Sequence, residues 1–151
     1  MAGTPRSATG RALAGFGAGA VAVLVYHQGM WAILHGLHLM PPPFPVAPVP
    51  PLGIPRIYDL CFWGGLYGLF FGLAAPALPG RLIWLQGIVL GLIAESGTLF
   101  LVPMLRGWPI AFGGSVRAIA VSTLINGTFG LGVGLLIPLV VNFGTAGRRG
   151  G

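Results

Sequence analysis

Lysine is absent from this sequence, acidic residues number only two (Asp59 and Glu95), and cysteine occurs once, as Cys61. Each shortage excludes something. A single cysteine can form neither an intrachain disulfide nor a cysteine-based metal site. Its ordinary use is as a small apolar packing residue. Charged residues make up 7% of the chain, where a soluble domain carries about 25%, so a water-solvated globule is excluded. No nucleophile elbow, Walker loop or zinc-protease motif occurs. Enzymatic activity is left open on that ground, and a non-enzymatic role is the expectation. The strict apolar/polar alternation of a membrane β-barrel is also missing.

What remains is apolar, 55% of the 151 residues. Four runs stand out: Leu13–Leu39, Ile57–Leu78, Leu82–Leu105 and Val116–Phe143. A helix rises about 1.5 Å per residue, so about 20 residues cross the ~30 Å hydrocarbon layer of a bilayer. All four runs qualify. The fold class expected is therefore all-α, an integral membrane four-helix bundle spanning residues 13–143, with the lipid bilayer as its first partner.

The net charge of +6 comes from eight arginines set singly at the ends of the runs. That placement argues against nucleic acid, which is met by a clustered basic face. It fits the bias of positive residues toward the cytoplasmic side. Arg6, Arg11, Arg81, Arg148 and Arg149 fall on one side, and Arg56, Arg106 and Arg117 on the other. Both termini are then cytoplasmic, residues 1–12 and 144–151 are short cytoplasmic tails, and the compartment is a cell inner membrane. The first run is too long for a signal peptide and lacks a small-residue cleavage site, so it reads as an uncleaved anchor.

The first outer loop, Pro41–Pro55, holds eight prolines and no charge. Proline fixes φ and favours stiff, extended backbone. The segment reads as a rigid strap across the outer end of the bundle, with a lid or a docking surface for a partner as the rival reading. Gly113-Gly114-Ser115 reads as a turn and helix N-cap.

The second pair of helices resembles the first. An offset of 62 places Gly64–Pro76 on Asn126–Pro138 with six of thirteen residues identical, among them Gly68/Gly130, Gly72/Gly134 and Pro76/Pro138. An offset of 68 places Gly19 on Gly87 and His27 on Glu95. Two helices separate the copies, so the expectation is two tandem hairpins forming a parallel repeat about an axis along the membrane normal. Small residues four apart occur in every helix: Gly15/Gly19, Gly64/Gly68/Gly72, Gly87/Gly91 and Gly130/Gly134. Such GxxxG stripes let helix backbones approach in lipid, where apolar burial gives no advantage. Packing within the bundle accounts for most of them, and a homo-oligomer interface is the alternative use.

Polar residues at membrane depth carry the functional expectation. The stripe Gly15, Gly19, Val23 reaches His27. The stripe Gly87, Gly91 reaches Glu95. Asn126 precedes Gly130 and Gly134. An ionisable group inside the bilayer is costly and is a functional candidate by default. The candidate intramembrane site is His27, Glu95 and Asn126 with Ser96 nearby. Its rival reading is interhelical hydrogen-bond glue, worth about 1 kcal/mol. His35 and His38, spaced i, i+3 near the outer end of the first helix, form a weak metal candidate with Asp59. Two interfacial histidines are the favoured reading of that pair. All three histidines lie on one helix, which counts against haem held between two helices. No cofactor is expected.

Residues Leu85–Gly107 carry a Gln-Gly, a second glycine four residues on, and a Pro and Gly at the helix exit: Gln86, Gly87, Gly91, Pro103 and Gly107. That stretch resembles the YagU-like small bacterial inner-membrane proteins. The resemblance implies an inner-membrane helical protein and supplies no catalytic residue. Two functions of different class follow from the sequence. One is a small membrane protein handling protons or a small solute at the His27/Glu95/Asn126 site. The other is a structural or accessory subunit of a larger membrane complex, docked through the proline-rich loop.

Overall fold

The computed structural model describes residues 7–79 and 82–141. Four of the helices in that part are long and apolar enough to cross a membrane: α1 (Ala8–Gly36), α2 (Arg56–Ala77), α3 (Ile83–Arg106) and α4 (Val116–Val140). The chain is an all-α, multi-pass membrane protein. Arg6, Arg81, Arg148, Arg149 and the tail 144–151, on which the predicted orientation leans, lie outside the described residues.

The helix ends follow local chemistry. α1 begins at Ala8, five residues before the predicted start, because Ser7 caps it. The Ser7 hydroxyl accepts from Gly10 N at 3.0 Å, taking up one of the amides that a helix start leaves unpaired. The second half of the expected tail is therefore helix. α4 starts at the predicted cap, Ser115, which accepts from Ala118 N at 3.3 Å. Gly113 and Gly114 before it have φ of +66° and +82°, a region where any Cβ is strained. At 29 residues, α1 is about 43 Å long, well beyond the hydrocarbon layer.

Two of the helices contain a π-helical turn, Val23–His27 in α1 and Gly97–Leu101 in α3. There Gln28 N donates to Val23 O, and Val102 N donates to Gly97 O. Each turn inserts a residue into the helical register and shifts the buried face beyond it. In α1 the buried positions run Gly15, Ala18 and Gly19, Ala22 and Val23, then both His27 and Gln28, then Trp31 and Leu34.

α1 packs along α2 and α3 along α4; α1 also lies beside α4, while α2 and α3 meet at few points. Glycine makes the two hairpins close. A Cβ on Gly15 would meet the Gly68 carbonyl, and one on Gly19 the Gly64 carbonyl. Likewise a Cβ on Gly87 would meet the Gly130 carbonyl, and one on Gly91 the Asn126 carbonyl. The contacts match Gly15 with Gly87 and Gly19 with Gly91, an offset of 72, while α2 and α4 keep the expected offset of 62. The expected offset of 68 for the first helix is therefore wrong by one turn. Glu95 corresponds to Val23, and His27 lies a turn further out. Glycine-rich helices offer several registers of equal sequence merit, and only the interhelical contact selects among them.

The proline-rich segment folds back onto the bundle. Pro48–Val49 (β1) and Ile54–Pro55 (β2) pair as a short antiparallel ribbon. The Trp31 indole donates to Pro41 O at 2.8 Å, and Phe44 N donates to Gln28 Oε1 at 2.7 Å. Arg56 N and Ile57 N, at the start of α2, donate to Ala47 O and Pro45 O.

Candidate functional site

Apart from Val49 on the proline-rich segment, the buried apolar residues described form two clusters. The inner one gathers Ala22, Val23, Phe71, Phe129, Val133 and Ile137. The outer one is Trp31, Leu34, Val121 and Ile125. The buried polar residues His27, Gln28 and Glu95 come from the stretch of chain between these clusters. In lipid, a polar group facing outward would lose hydration with no replacement, so these three turn inward.

Glu95 is 4% exposed, and its hydrogen-bond partners among the described residues all come from α4. Asn126 Nδ2 donates to Oε2 at 2.6 Å and Ser122 Oγ to the same oxygen at 2.8 Å. Thr123 Oγ1 lies 3.4 Å from Oε1 and donates to Ile119 O at 2.9 Å. Asn126 also reaches back to Ser122 O at 3.2 Å. The spacing explains the set: residues 122 and 126 are one turn apart on one face, and Thr123 flanks them. Ser122 and Thr123 were not picked out from sequence, although Ser122 is the next step by fours beyond Asn126 on the Gly130/Gly134 stripe.

His27 bonds elsewhere. Gln28 is wholly buried, and its Oε1 is turned to Phe44 N, which can only donate. Its Nε2 therefore donates to His27 Nδ1 at 3.2 Å, which leaves Nε2 to carry the ring proton. Gln28 was also missed, because it falls off the four-residue stripe until the π turn rotates it inward. Among the described residues no hydrogen bond joins His27 to Glu95. The two are brought together through Asn126, which bonds Glu95 and lines the same cavity as His27.

Ser96 does not belong to this group. It is exposed, and its hydroxyl donates to Leu92 O at 3.2 Å on its own helix. The metal candidate also comes apart. Asp59 pairs with Arg106 Nη2 at 2.9 Å. His35 Nδ1 is bonded to Met40 O at 2.9 Å, and His38 is exposed with φ +59°. No cluster of three metal-ligating side chains exists among the described residues.

A cavity of about 550 Å³ occupies the outer half of the bundle between the two hairpins. That volume falls within the usual range of small-molecule sites. His27, Ser122 and Asn126 line its deep end, and Trp31, Trp63, Val121 and Ile125 belong to its walls. α2 and α3 flank it and meet at two places. The Tyr67 hydroxyl packs on Gly97 at the inner end, and the Asp59–Arg106 ion pair bridges the outer end. The span from Gly97 to Arg106 is about 13 Å. The Arg106 guanidinium also lies 5.1 Å from the Trp108 ring centre, a cation–π contact. A smaller void of about 50 Å³ continues inward past Trp63 to Tyr67 and Phe129.

No protein-family model matches this chain, and neither a curated protein nor a solved structure is significantly similar to it. The likeness of Leu85–Gly107 to the YagU-like proteins therefore rests on the residues quoted for it. Fold and site together define the class: a polytopic helical membrane protein with a cavity between its helices, above a buried polar layer.

Proposed function

We propose that this chain is a small-solute-handling protein of a cell inner membrane, working through the cavity between its two hairpins. One observation carries the reading: a cavity of about 550 Å³ at membrane depth whose deep end is lined by His27, Ser122 and Asn126, with Glu95 bonded directly behind. Polar groups are expensive in lipid and are kept there for a use or for glue. Glue needs no cavity beside it. Protons belong to the same reading, with Glu95 as the group that would carry them. The arginine asymmetry supports cytoplasmic termini, which puts the Arg56/Asp59/Arg106 end of the cavity toward the outside. The matched glycine contacts support an ancestral duplication of one hairpin, with the polar pair Glu95 and Asn126 present in the second copy alone.

The test uses the purified protein in mild detergent, melted in the presence of a panel of small amphiphiles. A ligand that binds only the folded state stabilises it by about 2.7 kcal/mol at a hundred times its Kd. Ala118, half-buried on the cavity wall, gives the control Ala118→Trp, which fills the space. Stabilisation of the wild type that is lost in the filled variant supports the reading. No stabilisation by any compound, together with no proton flux into dye-loaded proteoliposomes, would remove it.

The accessory-subunit reading has an observation of its own. Val46 and Leu52 on the proline-rich segment are 73% and 77% exposed. The mass of the particle extracted in mild detergent decides between the two: a bare monomer or homo-oligomer counts against a heteromeric complex.

A further inference from the structure

The outer part of the cavity is not neutral. Arg56, Asp59 and Arg106 all line it, so two guanidiniums face one carboxylate. Arg106 pairs with Asp59 through a single bond, Nη2 to Oδ1 at 2.9 Å. Arg56 has no ion-pair partner among the described residues. One positive charge is left over beside walls built from Trp31, Trp63, Trp108 and Phe112. Arg56 is exposed, but a charge beside apolar walls sits in a lower effective dielectric than bulk water, so an anion arriving there gains more than it would in water. Guanidinium forks match carboxylate geometry. Arg106 also lies over the Trp108 ring, and its single bond to Asp59 leaves further N–H donors for a ligand.

We infer that the cavity takes a small organic monoanion, a carboxylate on an apolar body of aromatic-ring size. The carboxylate lies between Arg56 and Arg106, and the body points inward against Trp31 and Trp63. This rests on the solute-handling reading above and narrows it. Asp59 competes with the ligand for Arg106, so it weakens anion binding while it holds α2 to α3.

The experiment is equilibrium dialysis at neutral pH against the full chain in nanodiscs, with empty nanodiscs correcting for partition into lipid. The probes are 2-naphthoate and its neutral counterpart 2-naphthylmethanol. The acid should bind at least about tenfold more tightly than the alcohol, the worth of one charge-assisted contact. Arg56→Gln, which removes an exposed side chain with no ion pair, should cost the acid about tenfold and leave the alcohol unchanged. Asp59→Asn should strengthen binding of the acid, a direction that a purely structural role for Asp59 does not produce. Equal binding of acid and alcohol by the wild type, or an Arg56→Gln variant unchanged toward the acid, overturns the inference and leaves the solute-handling reading standing. Binding of neither probe overturns the inference as well, and the solute-handling reading then stands or falls on the melting panel and the proton-flux assay. Decanoate in competition separates the sources. Displacement of naphthoate by decanoate assigns the anion to the lipid phase, its failure to displace assigns it to water, and either supports the inference.

Discussion

Asn126 donates its side-chain amide to Glu95 at 2.6 Å, and it does so at the step of the α3–α4 interface that Gly64 occupies between α1 and α2. Gly91 meets the Asn126 carbonyl as Gly19 meets that of Gly64, and Val23 faces Gly64 where Glu95 faces Asn126. The close contacts thus fall in the same register in the two helix pairs, and at this level their chemistry differs. A Val–Gly contact in the first is a Glu–Asn hydrogen bond in the second.

Glu95→Leu should destabilise the bundle by about 1–3 kcal/mol, because the Asn126 amide and the Ser122 hydroxyl lose a buried acceptor. Glu95→Gln should cost less, since its carbonyl oxygen can still accept from both. Thermal melts or denaturing-detergent titrations of the purified variants measure this. Equal stability of all three proteins would mean that the α4 donors find other partners and that Glu95 is not what holds them. If Glu95 carries protons, Glu95→Gln should also abolish proton-coupled flux in proteoliposomes while retaining the fold.

Gly68→Ala should push α1 and α2 apart. The added Cβ meets backbone, the Gly15 carbonyl and the Gly19 Cα at 2.8 Å, and backbone cannot rotate away as a side chain would. A cost of about 1–3 kcal/mol is expected, as for overpacking in other cores. Gly17→Ala is the control: nothing lies within 4 Å of its Cβ, and alanine has the better helix propensity by about 1 kcal/mol. The same melts should show Gly17→Ala unchanged or more stable. Two equally damaged variants would contradict the interface.

Gln28→Leu should release the proline-rich segment from α1. Its Oε1 is the acceptor for Phe44 N at 2.7 Å, and leucine of similar size offers none. Amide hydrogen exchange at Phe44 should become faster, with the transmembrane helices unaffected. Unchanged protection at Phe44 would show that the strap is held by Trp31 and the start of α2 alone.

The orientation is testable at Ala47, an exposed position on the strap. In a Cys61→Ser background, Ala47→Cys should react with a membrane-impermeant thiol reagent applied from outside intact cells. Reaction only in inverted vesicles would reverse the topology drawn from the arginines.

Length and composition were enough to define the four spanning helices, since the thickness of a bilayer and the helical rise leave a run of twenty-odd apolar residues few other forms. The inward turn of His27, Glu95 and Asn126 was legible for a related reason: each continues a stripe of packing glycines, and lipid offers their polar groups nothing. The sequence did not determine the register of one hairpin against the other, because glycines repeated every four residues are equivalent until a neighbouring backbone touches one set of them. Nor did it place Gln28, whose burial depends on a π turn that no local residue pattern announces. The partner of Asp59 was decided by tertiary structure alone. Two residues 47 positions apart meet because the Arg106 side chain reaches from α3 across to α2, and that reach turns a candidate metal ligand into half of an ion pair over the cavity.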